Sequence, residues 1–194
     1  EQTRKVAVDY FEKQKDLPSS LYISDIALVV LPQKGISAKG VVDLFAKEYA
    51  EKMTNSAGPR YFGFVTGGST PASVAGDWLV SAFDQNACGS NDSIAPQLEQ
   101  QTLHFLKQLF GIDEAYFGSF VTGATVSNFV SLAIARQWVG EQQGIDISNE
   151  GLQNLPFLKV GSSTAHSSII KSLSMLGIGR NALVRINTQP NREA

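Results

Sequence analysis

Two short stretches carry residue types that chemistry could use. In Thr122-Gly123-Ala124-Thr125, small and hydroxylated residues feed an apolar-rich helical pattern from Val126. Small side chains let backbone N–H groups approach a ligand, hydroxyls add donors, and the positive end of a helix dipole favours an anion. Together these describe a phosphate cradle, although the same residues also serve as plain helix N-caps. The second stretch is Ser162-Ser-Thr-Ala-His166-Ser-Ser-Ile-Ile-Lys171, between a strand-like run, Phe157–Val160, and a helix from about His166 to Leu176. In an open α/β sheet, ligands gather outside the carboxyl ends of strands, so a histidine there stands on the functional edge. It can equally cap its own helix. Lys171 falls inside that helix, where a solvated face is its expected place. A third feature is the loop Gly58 to Pro71, with Phe62-Gly-Phe-Val-Thr-Gly-Gly-Ser-Thr-Pro71. Aromatics interleaved with glycines suit a backbone that lies close to something else.

Other chemistries lack their motifs. The chain has no Gly-x-Ser-x-Gly elbow, no Walker loop and no His-Glu-x-x-His, and Gly177-Ile-Gly179 lacks a third glycine. His104 and His166 are too far apart for a helical metal pair, and the one cysteine, Cys88, cannot form an internal disulfide, which fits a reducing compartment. Sixteen Lys+Arg against eighteen Asp+Glu give a net charge of −2, so no basic face favours nucleic acid or an anionic lipid surface. The longest apolar run, Ile26–Leu31, is far too short to span a bilayer. With 43% hydrophobic and 18% charged residues, a soluble cytoplasmic protein folded around a core, or carrying a subunit interface, is expected.

The elements that must position these stretches read as follows. The first forty residues look like an irregular arm with one strand-like run, Ile26–Leu31. Ser37 can cap a helix that runs to about Met53, and a second helix follows Pro71 to about Phe83. A third begins around Pro96 and stops at Gly111, with Leu98, Thr102, Phe105, Leu106, Leu109 and Phe110 as its inner stripe. Tyr116 to Val121 reads as extended, then come the small-residue turn and a helix from Phe129 to Trp138. The strand Phe157–Val160, the helix after His166 and a strand Ala182–Ile186 close the pattern. Strand, helix, strand argues for an α/β fold with a partly parallel sheet.

Four ordered segments resemble one family. Pro59-Arg-Tyr-Phe-Gly-Phe-Val-Thr-Gly-Gly-Ser-Thr-Pro-Ala72, Leu98-Glu99 opening a helix, Gly118-Ser-Phe-Val-Thr-Gly-Ala-Thr-Val-Ser-Asn128 with Ala133-Ile-Ala-Arg136, and Ala165-His166-Ser-Ser-Ile-Ile-Lys171 are similar to the group II pyridoxal-phosphate-dependent amino acid decarboxylases. That family includes the aromatic amino acid, glutamate and cysteine sulfinate decarboxylases. The likeness runs from about residue 40 to the end.

The resemblance implies an α/β chain of the fold-type I, aspartate aminotransferase kind. Residues 1–70 would form an N-terminal arm and helix, and 71–194 the first part of the pyridoxal 5'-phosphate-binding large domain. It implies Ala124 and Thr125 as phosphate contacts with Gly123 as space-maker, and His166 as the histidine that stacks on the cofactor ring and helps position the substrate carboxylate or a proton. It implies a substrate-side loop around Phe64, Thr66 and Gly67. It further implies an amino acid substrate, a homodimer, and a Schiff-base lysine and pyridine-pairing aspartate downstream of residue 194, so that this stretch alone is expected to be an inactive fragment. Aldehyde-lyases and aminotransferases of the same architecture, and a non-catalytic interaction subunit, remain alternatives. The sequence departs from the family in three places. Gly58 replaces the usual histidine, Ser93-Ile-Ala95 shifts a proline to Pro96, and Val126 replaces an acidic residue.

Overall fold

The computed structural model describes residues 1–22, 29–86 and 93–188. They fall into two compact units, Glu1–Asn86 and Ala87–Ala194. Residues 26–28 of the expected Ile26–Leu31 strand lie outside the described residues, as does Cys88. Residues 29–31 form no strand.

In the first unit the described elements are α1 (Gln2–Lys13), α2 (Ala38–Glu48), the 3-10 turn Ala50–Lys52 and α3 (Pro71–Phe83). The expectation of an irregular start is corrected by α1. Its apolar residues are scattered among charges and none of them is buried, so the sequence offers only a weak stripe. The other two helices start where local chemistry says they should. Ser37 Oγ accepts from the Gly40 N–H, and Thr70 and Ser73 cap each other reciprocally before Pro71. Helix α2 ends at Glu48, short of the expected Met53. Asn55, only 3% exposed, fastens the unit. Its Nδ2 donates to the carbonyls of Gln14 and Leu17, and its Oδ1 accepts from the Tyr10 hydroxyl.

The second unit begins with α4 (Ala95–Phe110), followed by α5 (Ala124–Glu141), the single turn α6 (Ile147–Glu150), β1 (Val160–Ser162), α7 (Ser167–Met175) and β2 (Leu183–Arg185). Helix α4 has a proline in its first turn and stops at Gly111, whose φ of 64° is the left-handed cap that glycine adopts without strain. The expected inner stripe of α4 is corrected. Leu98, Thr102, Phe105, Leu109 and Phe110 are exposed; of the expected stripe Leu106 is half-buried, together with Leu103, His104 and Lys107.

The parallel pairing is present. Strands β1 and β2 run side by side with Val160 opposite Leu183 and Ser162 opposite Arg185, and α7 lies in the connection between them. Both strands are shorter than expected, and β1 is shifted toward the histidine, starting where the run Phe157–Val160 ends. The segment Tyr116 to Val121 forms no strand. Helix α7 packs on α5 and carries much of the unit's core, with Leu173 fully buried and Leu176, just past its end, and Ala182 also buried. Gly140 lets α6 approach α5, because a Cβ there would overlap Ile147.

Candidate active site

The turn into α5 is held from upstream. Glu99, in the first turns of α4, accepts from the Phe120 backbone N–H at 3.2 Å, fixing the strand-less segment just before the turn. Lys107 adds to this by donating to the carbonyls of Glu114 and Tyr116. Gly123 is then the N-cap of α5, with φ 156° and ψ 170°, a backbone region that is essentially glycine's alone. A Cβ at Gly123 would meet nothing within 4 Å, so the backbone conformation, not the space, calls for glycine.

The helix starts at Ala124, two residues earlier than the sequence pattern implies. The Gly123 carbonyl accepts from both Val126 and Ser127 N–H groups at 3.0 Å. Among the described residues nothing accepts from the N–H groups of Ala124 and Thr125, and no acidic residue occupies the first turn. Two open amides at a positive helix end with no acidic residue beside them have the chemistry to accept from an anion's oxygens.

His166 is the N-cap of α7, at the turn that follows β1. Its Nδ1 accepts from the Ser168 N–H at 3.2 Å and lies 2.8 Å from Ser168 Oγ. The capping role that the sequence leaves open is therefore real, and it leaves the exposed imidazole held by one edge only. Ser168 is 3% exposed, and its Oγ also receives the side-chain amide of Asn128 at 2.8 Å. Asn128 sits on the second turn of the helix that Gly123 opens, so the histidine's cap and the turn at Gly123 belong to one hydrogen-bonded assembly. At the other end of the same pair of helices, Arg136 Nη1 of α5 donates to the Leu176 carbonyl that ends α7.

The glycine-aromatic loop lies in the first unit. Thr66 Oγ1 donates to the carbonyls of Ser56 and Gly63, each at 3.3 Å. Phe64 and Val65 both have φ of 55°, strained for such side chains, and Phe64 is 91% exposed. A Cβ at Gly67 would meet nothing within 4 Å. At Gly58, where the resembled family has histidine, a Cβ would overlap the Asn55 amide, so the buried Asn55 anchor and a side chain at 58 exclude one another. A surface cavity of about 860 Å³ lined by Glu1, Arg4, Val8 and Lys39 contains none of these residues.

Asn128, Ser168 and Glu99 were named in the sequence only as parts of motifs. Their positioning bonds join residues 40 and 21 apart, which no local spacing announces. The signal that existed was the serine two places after His166, the distance at which an N-cap side chain receives a backbone amide.

The fold is that of the fold-type I pyridoxal-phosphate-dependent decarboxylases. The crystal structure of Oryza sativa TDC with PLP and tryptamine matches 98% of this chain and 43% of its own, at a TM-score of 0.82 and 19% identity. In sequence, the chain is 27% identical over 187 residues to an aromatic-L-amino-acid decarboxylase of Bacillus atrophaeus, covering 93% of this chain and 37% of the relative. It is also 27% identical over 128 residues to an L-2,4-diaminobutyrate decarboxylase of Acinetobacter baumannii, covering 59% of this chain and 25% of that relative. No protein-family profile matches. The resemblance to group II pyridoxal-phosphate-dependent amino acid decarboxylases thus holds in sequence and in fold, and the chain spans little more than a third of the first relative's length. No helix among the described residues is long and apolar enough to cross a membrane.

Proposed function

We propose that the chain is part of a pyridoxal-phosphate-dependent carboxy-lyase that releases CO2 from an L-amino acid. Residues 71–194 form the first part of its cofactor-binding domain, and the complete protein is a cytoplasmic homodimer. The observation that carries this reading is the pair of unbonded amides on Ala124 and Thr125, tied through Asn128 and Ser168 to the cap that holds His166. The residues present fit the cofactor: open amides at a helix N-terminus suit its phosphate, and an exposed flat imidazole held at one edge suits its ring.

When bound, pyridoxal phosphate supplies an electron sink for the carbon that loses CO2. The work of this chain is to hold and orient. Gly123 turns the backbone, the Ala124 and Thr125 amides and the Thr125 hydroxyl would hold the phosphate, and the His166 imidazole would support the cofactor ring and help position the substrate carboxylate. Phe64, Thr66 and Gly67 serve the substrate side. The Schiff-base lysine comes from outside these 194 residues, since none of the lysines here stands in a matching motif, and the chain alone is inactive. The relatives are decarboxylases by name, and no observation favours an aldehyde-lyase or an aminotransferase.

The test uses pyridoxine 5'-phosphate, which has the ring and phosphate but no aldehyde to react with surface lysines. Titrated into the isotope-labelled chain, it should shift the Ala124 and Thr125 amide resonances and the His166 ring signals together, with inorganic phosphate shifting the amides alone. No change at either position would overturn the reading.

A further inference from the structure

The hydroxyl of Ser168 has one proton, and its surroundings decide where that proton points. Asn128 Nδ2, a donor only, approaches Ser168 Oγ at 2.8 Å, so the hydroxyl accepts there. Ser168 is 3% exposed, which excludes bulk water as a competing partner, and the remaining neighbour at hydrogen-bond distance is His166 Nδ1 at 2.8 Å. The Ser168 backbone N–H points at the same nitrogen from 3.2 Å. Nδ1 therefore receives two donors and carries no proton of its own. The proton of the neutral ring sits on Nε2, on the opposite edge.

We infer that Asn128 and Ser168 are positioning residues for His166, fixing its imidazole in the Nε2–H form with that N–H turned away from the cap as a donor to an anionic oxygen. This rests on the proposed function only for the identity of the oxygen, a substrate carboxylate or the cofactor's phosphate. The orienting relay itself runs from the second turn of α5 to the first turn of α7, so the helix that presents the open amides also sets the donor state of the histidine. A buried hydroxyl left with an unmatched donor pays its desolvation without return, which holds one tautomer in excess over the other.

The experiment reads the ring directly, without cofactor. The 194-residue chain is labelled with 15N-histidine, and two-bond proton–nitrogen correlations are recorded at a pH where the rings are neutral, with His104→Gln used for assignment. The expected spectrum has His166 Nδ1 as an unprotonated acceptor and Nε2 protonated. Asn128→Asp replaces the donor by an acceptor that takes the serine proton, and should move the His166 population toward Nδ1–H. Ser168→Ala leaves the backbone N–H as the one donor to Nδ1 and should weaken the preference for the Nε2–H form, and Ser168→Thr should restore it. A thermal melt of each variant separates loss of the relay from loss of the fold, and Asn128→Asp carries the test if Ser168→Ala does not fold. A parent spectrum that averages between tautomers, or an Asn128→Asp spectrum identical to the parent's, would overturn the inference. Because pyridoxine 5'-phosphate is absent here, failure of the relay and failure of the cofactor reading are scored by different measurements.

Discussion

Glu99 and Phe120 are joined by a single hydrogen bond, carboxylate to backbone N–H at 3.2 Å, that ties the start of α4 to the segment entering α5. These residues belong to two of the four segments that resemble the decarboxylases, so the resemblance reflects a physical connection as well as an order in sequence. Through Asn128 and Ser168 the connection continues to the fourth segment. The three stretches act as one support: Glu99 sets the approach, Gly123 makes the turn, and α7 is pinned against the helix that follows.

Replacing Glu99 by Ala should therefore free the Phe120 amide, raising its hydrogen-exchange rate several-fold while lowering global stability by no more than about 1 kcal/mol, because the bond is exposed. Glu99→Gln keeps an acceptor oxygen and should restore most of the protection. Unchanged exchange at Phe120 in Glu99→Ala would show that Lys107 and local packing hold the segment unaided.

Two carboxyl groups give the protein an acid-side dependence. The Glu114 carboxyl is held below its usual value of 4.5, chiefly by the hydrogen bond from Lys107, with the Lys107 and His104 charges adding to it. Asp146, the N-cap of α6, is held below 3.8 chiefly by the Ser148 hydroxyl and then by the Asn149 amide. For each group the folded-state value lies below the unfolded one. Its stabilising contribution is complete above the unfolded value and is lost as pH falls through the folded value. Stability should thus decline as pH drops from about 5 toward 3, and Lys107→Met should make that decline shallower. Urea midpoints across the range check this, and a parallel decline in Lys107→Met would remove Glu114 from the account.

What could be read from the sequence follows from how local each cause is. Ser37 and Gly111 mark helix ends because a cap is made within three residues, and both stand where expected; the helix expected after Pro71 is there too, capped by Thr70. The parallel β1–α7–β2 unit was legible because its apolar runs alternate with a helical pattern. The strand ends were not, since only pairing partners decide where a strand stops. Helical spacing told which residues of α4 share a face but not whether anything covers that face, so Phe105, Leu109 and Phe110 were read as inward. At the candidate site the types were legible and the bonds were not. His166 and Thr125 could be singled out, while the Asn128–Ser168 contact that relates them spans 40 residues.

The uncovered face of α4 leads to a statement about assembly. Phe105 is 59% exposed, Leu109 74% and Phe110 69%, one apolar patch on a single helix. In water such a patch favours association, each buried side chain contributing on the order of 1.5–3 kcal/mol. The chain should sediment as more than a monomer, and Leu109→Lys with Phe110→Ser should lower its apparent mass. A compact monomer with a sharp cooperative melt would contradict this.

The sharpest separation of stability from binding comes from two glycines of the second unit. Gly111 has φ 64° and Gly123 has φ 156°, and a Cβ at either would meet nothing within 4 Å. Alanine therefore costs backbone strain alone at both positions, on the order of 1–3 kcal/mol. At Gly111 the strain falls on the end of α4, and at Gly123 it falls on the turn that aims the Ala124 and Thr125 amides. Both variants should lose comparable stability in urea, but only Gly123→Ala should weaken pyridoxine 5'-phosphate binding, by about tenfold for each 1.4 kcal/mol of binding energy that the misaimed amides no longer supply. Gly111→Ala should bind as the parent does. Equal weakening in the two variants would mean that binding follows overall stability, and the α5 turn would lose its claim to the phosphate.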